Sequence, residues 1–271
     1  MINAKQQNKK AVIIGYGNLA FHLGSRLLKK GFSIEEIVGK NPKNTNLKSQ
    51  EKLKKIATDL HANICTDLKK INQEADVYFI CTGDNVLLEL SNQIKLNKKL
   101  VIHCSGSVPL QPLKKISSVC GVLYPLQTFS KNRKLKWKTV PFLLEASNKQ
   151  AKDELNQIAN SLSKNTFWMT SSERRKMHLA AVISSNFSNH LLLLTQKYLN
   201  NNLHFKLLFP LLQETFLKVE EIGPETAQTG PAIRKDEIII SEHLKDLQNF
   251  SELKELYQFF TTSIQKHHTK K

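Results

Sequence analysis

Gly15, Gly17 and Ala20 are spaced as G-x-G-x-x-A, directly after the apolar run AVIIG (11–15) and at the head of a segment in which Leu19, Leu23 and Leu27 recur every four residues. No other feature of this chain restricts its fold as much. The first glycine permits a tight turn, the second lets another group approach the backbone, and the small third residue lets a helix lie close on a strand. Gly31 closes that helix, and IEEIV (34–38) follows as a second apolar run. Strand, helix and strand at this spacing imply a parallel, doubly wound sheet. The N–H groups that open such a helix face an anion. We therefore expect a doubly wound sheet and a bound dinucleotide contacted by Gly15, Tyr16, Gly17, Asn18, Leu19 and Ala20.

The apolar runs continue at 62–65, 76–81, 99–103, 121–124 and 140–144, each short enough for a buried strand. The character then changes. No glycine occurs from 122 to 222, and the stretches 150–163, 172–200, 206–222 and 236–266 have helical patterning, with NTFWM (165–169) as one further strand. This predicts an α/β protein in which an N-terminal Rossmann-type parallel sheet domain, residues 1–168, precedes an all-helical C-terminal domain, residues 169–271. The closing KHHTKK is expected to fray.

Enzymes that use NAD place an acid after the second strand for the ribose hydroxyls, whereas a 2′-phosphate needs cations there. Here Lys40, Asn41 and Lys43 follow Gly39 with no acid among them, which favours NADP over NAD. Thr82 ends the fourth strand, and Ser105 and Gly106 end the fifth, where ligands sit in such sheets. Cys104 beside His103 invites a thiol or metal reading, but neighbours on a strand face opposite ways, so a buried cysteine and no metal are expected.

A net charge of +17 raises the alternative of a basic nucleic-acid-associated protein. The kind of cation argues against it, because 35 of the 40 basic residues are Lys and phosphate recognition favours the planar, bidentate Arg. Even the Lys-rich SKNRKLKWK (130–138) reads as a surface loop. The four cysteines form no C-x-x-C pair and the N-terminus has no apolar leader, which implies reduced thiols and a cytoplasmic location.

The stretch MHLAAVISSNFSNHLLLL (177–194) makes up most of the one uncharged run of near-membrane length, 177–196, yet it carries two His, two Asn and three Ser. It reads as a core helix and not a membrane span. On a helix Asn189 falls within about 20° of His178, with Asn186 and His190 about 80° and 120° away. This forms a broad polar stripe that must find partners if it is buried. In AQTGPAIRKD (227–236), Arg234 follows a Gly-Pro turn and is a candidate clamp for a carboxylate or phosphate.

These pieces in this order, with GYGNLA, HCSGS, YPLQTFS (124–130), HLAAVISSNFSNH and QTGPAIRKD, resemble the Rossmann-like proteins with an added helical domain of formerly unknown function, often termed deazaflavin-dependent NADP oxidoreductase-like. The family is similar in plan to ketopantoate, pyrroline-carboxylate, prephenate and 6-phosphogluconate enzymes. The resemblance implies an active site in a cleft between domains, a homodimer built through the helical domain and a small-molecule substrate. It also raises ketopantoate reduction in pantothenate synthesis. The ketopantoate reductase helix carries Lys followed by Asn at four-residue steps, whereas Lys176 here is followed by Ala180 and Ser184. His178 is then the substitute acid, with His190 as the other choice. In this reading Asn186 and Asn189 orient the substrate, Arg234 meets its carboxylate, and Gln127, Thr128 and Thr229 line the cleft. The remaining rival is a non-catalytic NADP(H) sensor.

Overall fold

The computed structural model describes residues 8–41 and 45–268. Its eight strands are β1 (Lys10–Ile14), β2 (Ser33–Val38), β3 (Asn63–Cys65), β4 (Val77–Ile80), β5 (Leu100–His103), β6 (Cys120–Pro125), β7 (Phe142–Ala146) and β8 (Thr166–Trp168). They form one sheet in the order β3-β2-β1-β4-β5-β6-β7-β8. Each apolar run read from the sequence is a strand, within a few residues at either end. The sheet is not wholly parallel as expected, because β7 runs antiparallel to β6. The connection between these two strands carries only a short 3-10 turn, Trp137–Thr139, and no α-helix, the usual means by which a chain crosses over to a parallel neighbour.

The helices are α1 (Asn18–Leu28), α2 (Leu47–Asp59), α3 (Asp84–Leu90), α4 (Lys149–Leu162), α5 (Ser171–Ala181), α6 (Ser188–Leu199), α7 (Asn202–Lys206), α8 (Leu208–Ile222), α9 (Pro224–Ala227), α10 (Pro231–Arg234), α11 (Glu237–Asp246) and α12 (Ser251–His268). Period-two alternation sorts β1 between the two faces of the sheet. Ala11 and Ile13 pack with Leu23 and Leu27 of α1, Ile56 of α2 and Leu155 of α4. Val12 and Ile14 pack with Leu87 and Leu90 of α3 on the other face.

Contacts divide the chain into two compact units, Met1–Ala181 and Val182–Lys271. The boundary read from the sequence fell at 168/169, yet α5 goes with the sheet. Its Arg174 is fully buried and donates to Glu145 of β7 and, at 2.7 Å, to the Val108 carbonyl. Ser171 donates to the same carboxylate at 2.7 Å and accepts the Leu110 N–H at 3.1 Å.

The second unit runs from a π-helical segment, 182–187, through α6 to α12. The expected single helix over 172–200 is thus interrupted, and that over 236–266 breaks between α11 and α12. The tail stays helical to His268, and residues 269–271 lie outside the described set. Burial overturns a further expectation, since 177–194 is not a core helix in this chain. Leu194 alone of that stretch is buried, and Leu179, Ile183 and Phe187 are more than half exposed. Its amides therefore meet solvent, and the cost argument that demanded partners for them does not apply. Among the described residues no helix is long and apolar enough to cross a membrane.

Candidate functional site

Strands β1, β4, β5 and β6 are mutually parallel, so their carboxyl ends lie along one edge of the sheet. The strand order reverses beside β1, which has β2 on one side and β4 on the other. A crevice opens at such a reversal. Gly15 makes the turn out of β1 with φ +115°, and a Cβ on it would stand 2.6 Å from the Cys81 carbonyl oxygen at the end of β4. Only glycine fits there. A cleft of about 650 Å³ opens at this turn.

Of the residues expected to hold a dinucleotide, Gly15, Tyr16, Gly17, Lys40, Asn41 and Thr82 line this cleft. Lys43 lies outside the described residues. Asn18, Leu19 and Ala20 begin α1, where Ala20 is buried and Asn18 Nδ2 donates to the Phe129 carbonyl at 2.9 Å. His22 Nε2 lies 2.9 Å from the Ser130 carbonyl oxygen, so the 127–130 loop is tied to α1. That loop carries Gln127 and Thr128, both exposed, with the Gln127 side-chain Oε1 accepting the Thr128 N–H at 2.8 Å. Sequence reasoning missed Lys52, which α2 brings to the same cleft. Nothing in the motif points to it, since it sits 12 residues beyond Lys40.

Several observations fit a phosphorylated dinucleotide. Two ammonium groups, those of Lys40 and Lys52, line the cleft near the end of β2, where a 2′-phosphate needs cations. Thr82 Oγ1 is buried without a hydrogen-bond partner. The glycine turn presents bare backbone to any group entering the cleft.

Ser105 and Gly106 form the loop that follows β5. They are not among the cleft-lining residues. Ser105 Oγ donates to Asp84 at 2.7 Å and accepts the N–H groups of Ser107 and Val108, which shapes the loop after β5. Gly106 backs onto His178, and a Cβ there would fall 2.6 Å from the ring. The half-buried His178 also meets Tyr124 of β6, with Oη 2.9 Å from Nδ1 and the rings edge to face. Burial raises the Tyr124 pKa above its ordinary value.

His103 and Cys104 behave as the strand alternation implies. His103 is fully buried, and burial with the Arg174 charge behind it lowers its pKa to about 3, so it stays neutral. Cys104 is buried 3.9 Å from Cys81, and hydrogen bonding to that thiol, with burial, raises its pKa well above the usual range. Among the described residues no cluster suits a metal ion.

In the second unit Asn186, Asn189 and His190 are exposed, Asn186 within the π-helical segment and the other two on α6. Thr229 and Arg234 are exposed, the latter closing the four-residue α10. The arginine that is buried and spent on a carboxylate is Arg174, in the sheet unit. Rarity of Arg pointed toward Arg234, but the sequence gives no sign of which Arg the fold encloses.

Two family models match the chain. Residues 10–106 match NADP oxidoreductase, coenzyme F420-dependent, and residues 140–264 match a domain of unknown function, DUF2520. A solved structure from Bacteroides fragilis, described as a "putative NADP oxidoreductase", is 35% identical and superimposes with a TM-score of 0.86, over 96% of this chain and 99% of that one. A Thermotoga maritima protein shares the fold at 20% identity and a TM-score of 0.74, over 94% and 98% of the two chains. So does a reductive aminase from Aspergillus terreus in complex with NADPH and ethyl-5-oxohexanoate, at 13% identity and a TM-score of 0.67, over 96% and 95%. No curated protein matches the sequence. With more than a third of its residues identical over nearly the whole of both chains, this protein belongs to the NADP oxidoreductase family in which the nucleotide-binding domain is followed by DUF2520.

Proposed function

We propose that the protein reduces a small carboxylate-bearing keto or imino substrate with NADPH, His178 giving the proton. The observation that carries this reading is the imidazole held by Tyr124, near the end of β6, and Gly106, just after β5, on the edge where the glycine turn opens the cleft. NADPH would rest on the Gly15 turn with its 2′-phosphate toward Lys40 and Lys52, and when bound it supplies the hydride. The protein then has two tasks, orienting the acceptor carbon and delivering a proton to the oxygen or nitrogen that gains electron density. The aminase's complex with NADPH and a keto ester supports a carbonyl or imine acceptor by analogy of fold.

The roles given to Asn186, Asn189, His190, Gln127, Thr128, Thr229 and Arg234 belong to the same proposal, and each is tested by its own alanine variant. A homodimer through the second unit is proposed from its apolar surface, where Phe216 and Leu217 of α8 are 64% and 60% exposed. A cytoplasmic location is proposed from four unpaired cysteines.

The test is NADPH oxidation followed at 340 nm with ketopantoate, 1-pyrroline-5-carboxylate and a panel of other keto acids. Turnover of at least one, lost in His178→Gln, supports the reading. Tight NADPH binding with no turnover of any would favour the sensor instead.

A further inference from the structure

Resting on the assignment of His178 as proton donor, we propose that Tyr124 is a positioning residue whose hydroxyl holds the imidazole against the Gly106 backbone and stays bonded to Nδ1 in both protonation states of the ring. Three contacts define the arrangement. A Cβ on Gly106 would stand 2.6 Å from both Cγ and Nδ1 of His178, so the ring fills the space a side chain would take. Tyr124 Oη lies 2.9 Å from Nδ1, with ring centroids 5.6 Å apart and planes at 80°. Arg174, one helical turn before His178, is fixed by Glu145 and by the Val108 carbonyl, which ties α5 to the loop that carries Gly106.

A phenol both donates and accepts, unlike an amide N–H or a carboxylate. It can therefore donate to Nδ1 of the neutral Nε2–H tautomer, and accept Nδ1–H both from the charged ring and from the neutral tautomer left when Nε2 gives up its proton. The neighbouring groups named above do not compete for this bond. β6 contributes Tyr124, the loop after β5 contributes glycine backbone, and the Arg174 guanidinium on α5 is already paired. Ser105, beside Gly106, is bonded to Asp84. Among the described residues no carboxylate forms an ion pair with His178.

Burial raises the Tyr124 pKa, so the phenol keeps its own proton and is not the source of the one transferred. The transferred proton leaves Nε2. That N–H bond breaks, its electron pair stays on the ring, and the proton goes to the carbonyl oxygen or imine nitrogen as the adjacent carbon gains hydride. The Nδ1–H···Oη bond persists throughout, so the ring has no reason to turn. A proton taken up from the solvent then restores Nε2–H, so that one proton is consumed for each hydride transferred.

The experiment compares Tyr124→Phe with His178→Gln in the full chain, using ketopantoate or 1-pyrroline-5-carboxylate as oxidant. Tyr124→Phe should lower kcat about 10- to 100-fold. KM and NADPH affinity should stay within about twofold, because no contact to either ligand is removed. The solvent deuterium isotope effect on kcat should rise as proton delivery becomes slower, which a loss of packing alone would not produce. In the NADPH-bound chain the 15N resonance of His178 Nδ1 should also move. If Tyr124→Phe keeps the wild-type kcat and isotope effect while His178→Gln is impaired, the role given to Tyr124 is wrong and the proton donor stands. If His178→Gln turns over like wild type, the fault lies with the donor assignment. If neither oxidant turns over, the Nδ1 resonance still decides, since an unchanged shift in Tyr124→Phe overturns the proposed hold on the ring.

Discussion

The sheet unit and the helical unit of this protein satisfy their side chains in different ways. Between β1 and α4 the apolar residues form two clusters, one on each face of the sheet, and most of their members are under 5% exposed. In Val182–Lys271 the buried apolar residues among those described are Leu194, Ala227, Ala232, Ile240 and Leu247. Phe209, Leu211, Phe216, Leu217 and Phe259 are 48% to 66% exposed there. Stability of a folded unit comes mainly from apolar surface removed from water. The difference teaches that the sheet unit is folded by its own interior, whereas the helical unit leaves most of its large apolar side chains exposed, the surface on which the proposed dimer rests.

The sharpest attack on the first half of that contrast is Glu145→Ala. It leaves the fully buried Arg174 guanidinium without its counter-ion and should cost about 3–5 kcal/mol of stability, read as a lower urea midpoint. A loss under about 1 kcal/mol would mean that the clamp does not hold the unit together.

Acid should act on the same unit through His103. Its folded pKa of about 3 lies below the unfolded value near 6.5, so the unfolded chain binds the extra proton first. This contribution is intact above about pH 6.5 and is lost as pH falls toward 3, at up to about 1.4 kcal/mol per pH unit. His103→Asn should flatten the decline of stability over that window; an unchanged slope would assign acid sensitivity to other groups.

Phe216→Asp sharpens the second half of the contrast. Placing a charge on the exposed face of α8 should convert a dimer to a monomer in sedimentation equilibrium, at about 2 kcal/mol or more of association energy. It should also abolish the concentration dependence of Tm expected of the wild type. A wild-type chain that is monomeric at micromolar concentration would break the comparison outright.

The smallest effect is expected at Lys52→Ala, which leaves both cores intact. NADPH affinity should fall about 5- to 10-fold, up to about 1.4 kcal/mol. NADH affinity should hardly change, and an equal loss for both would remove Lys52 from the 2′-phosphate.

Some of the site was legible in the chain and some was not. The turn at Gly15 and Gly17 was, because its chemistry is local and a backbone at φ +115° demands glycine wherever it occurs. His178 stood out as a polar residue among apolar ones, but its partner Tyr124 lies 54 residues away and only the sheet joins them. Lys52 was invisible for the same reason, since α2 folds back over the end of β2. The burial expected for the stripe from Asn186 to His190 was wrong because it was inferred from composition, and exposure is a property of neighbours.

By itself, then, the sequence determined the eight strands, the glycine turn and the change to helices after residue 150, since apolar periodicity and turn chemistry act between residues close in the chain. Tertiary structure alone decided the reversal of β7, the burial of Arg174 and the meeting of Tyr124, Gly106 and His178. Each of these depends on which distant segments share a surface, and no local pattern encodes that.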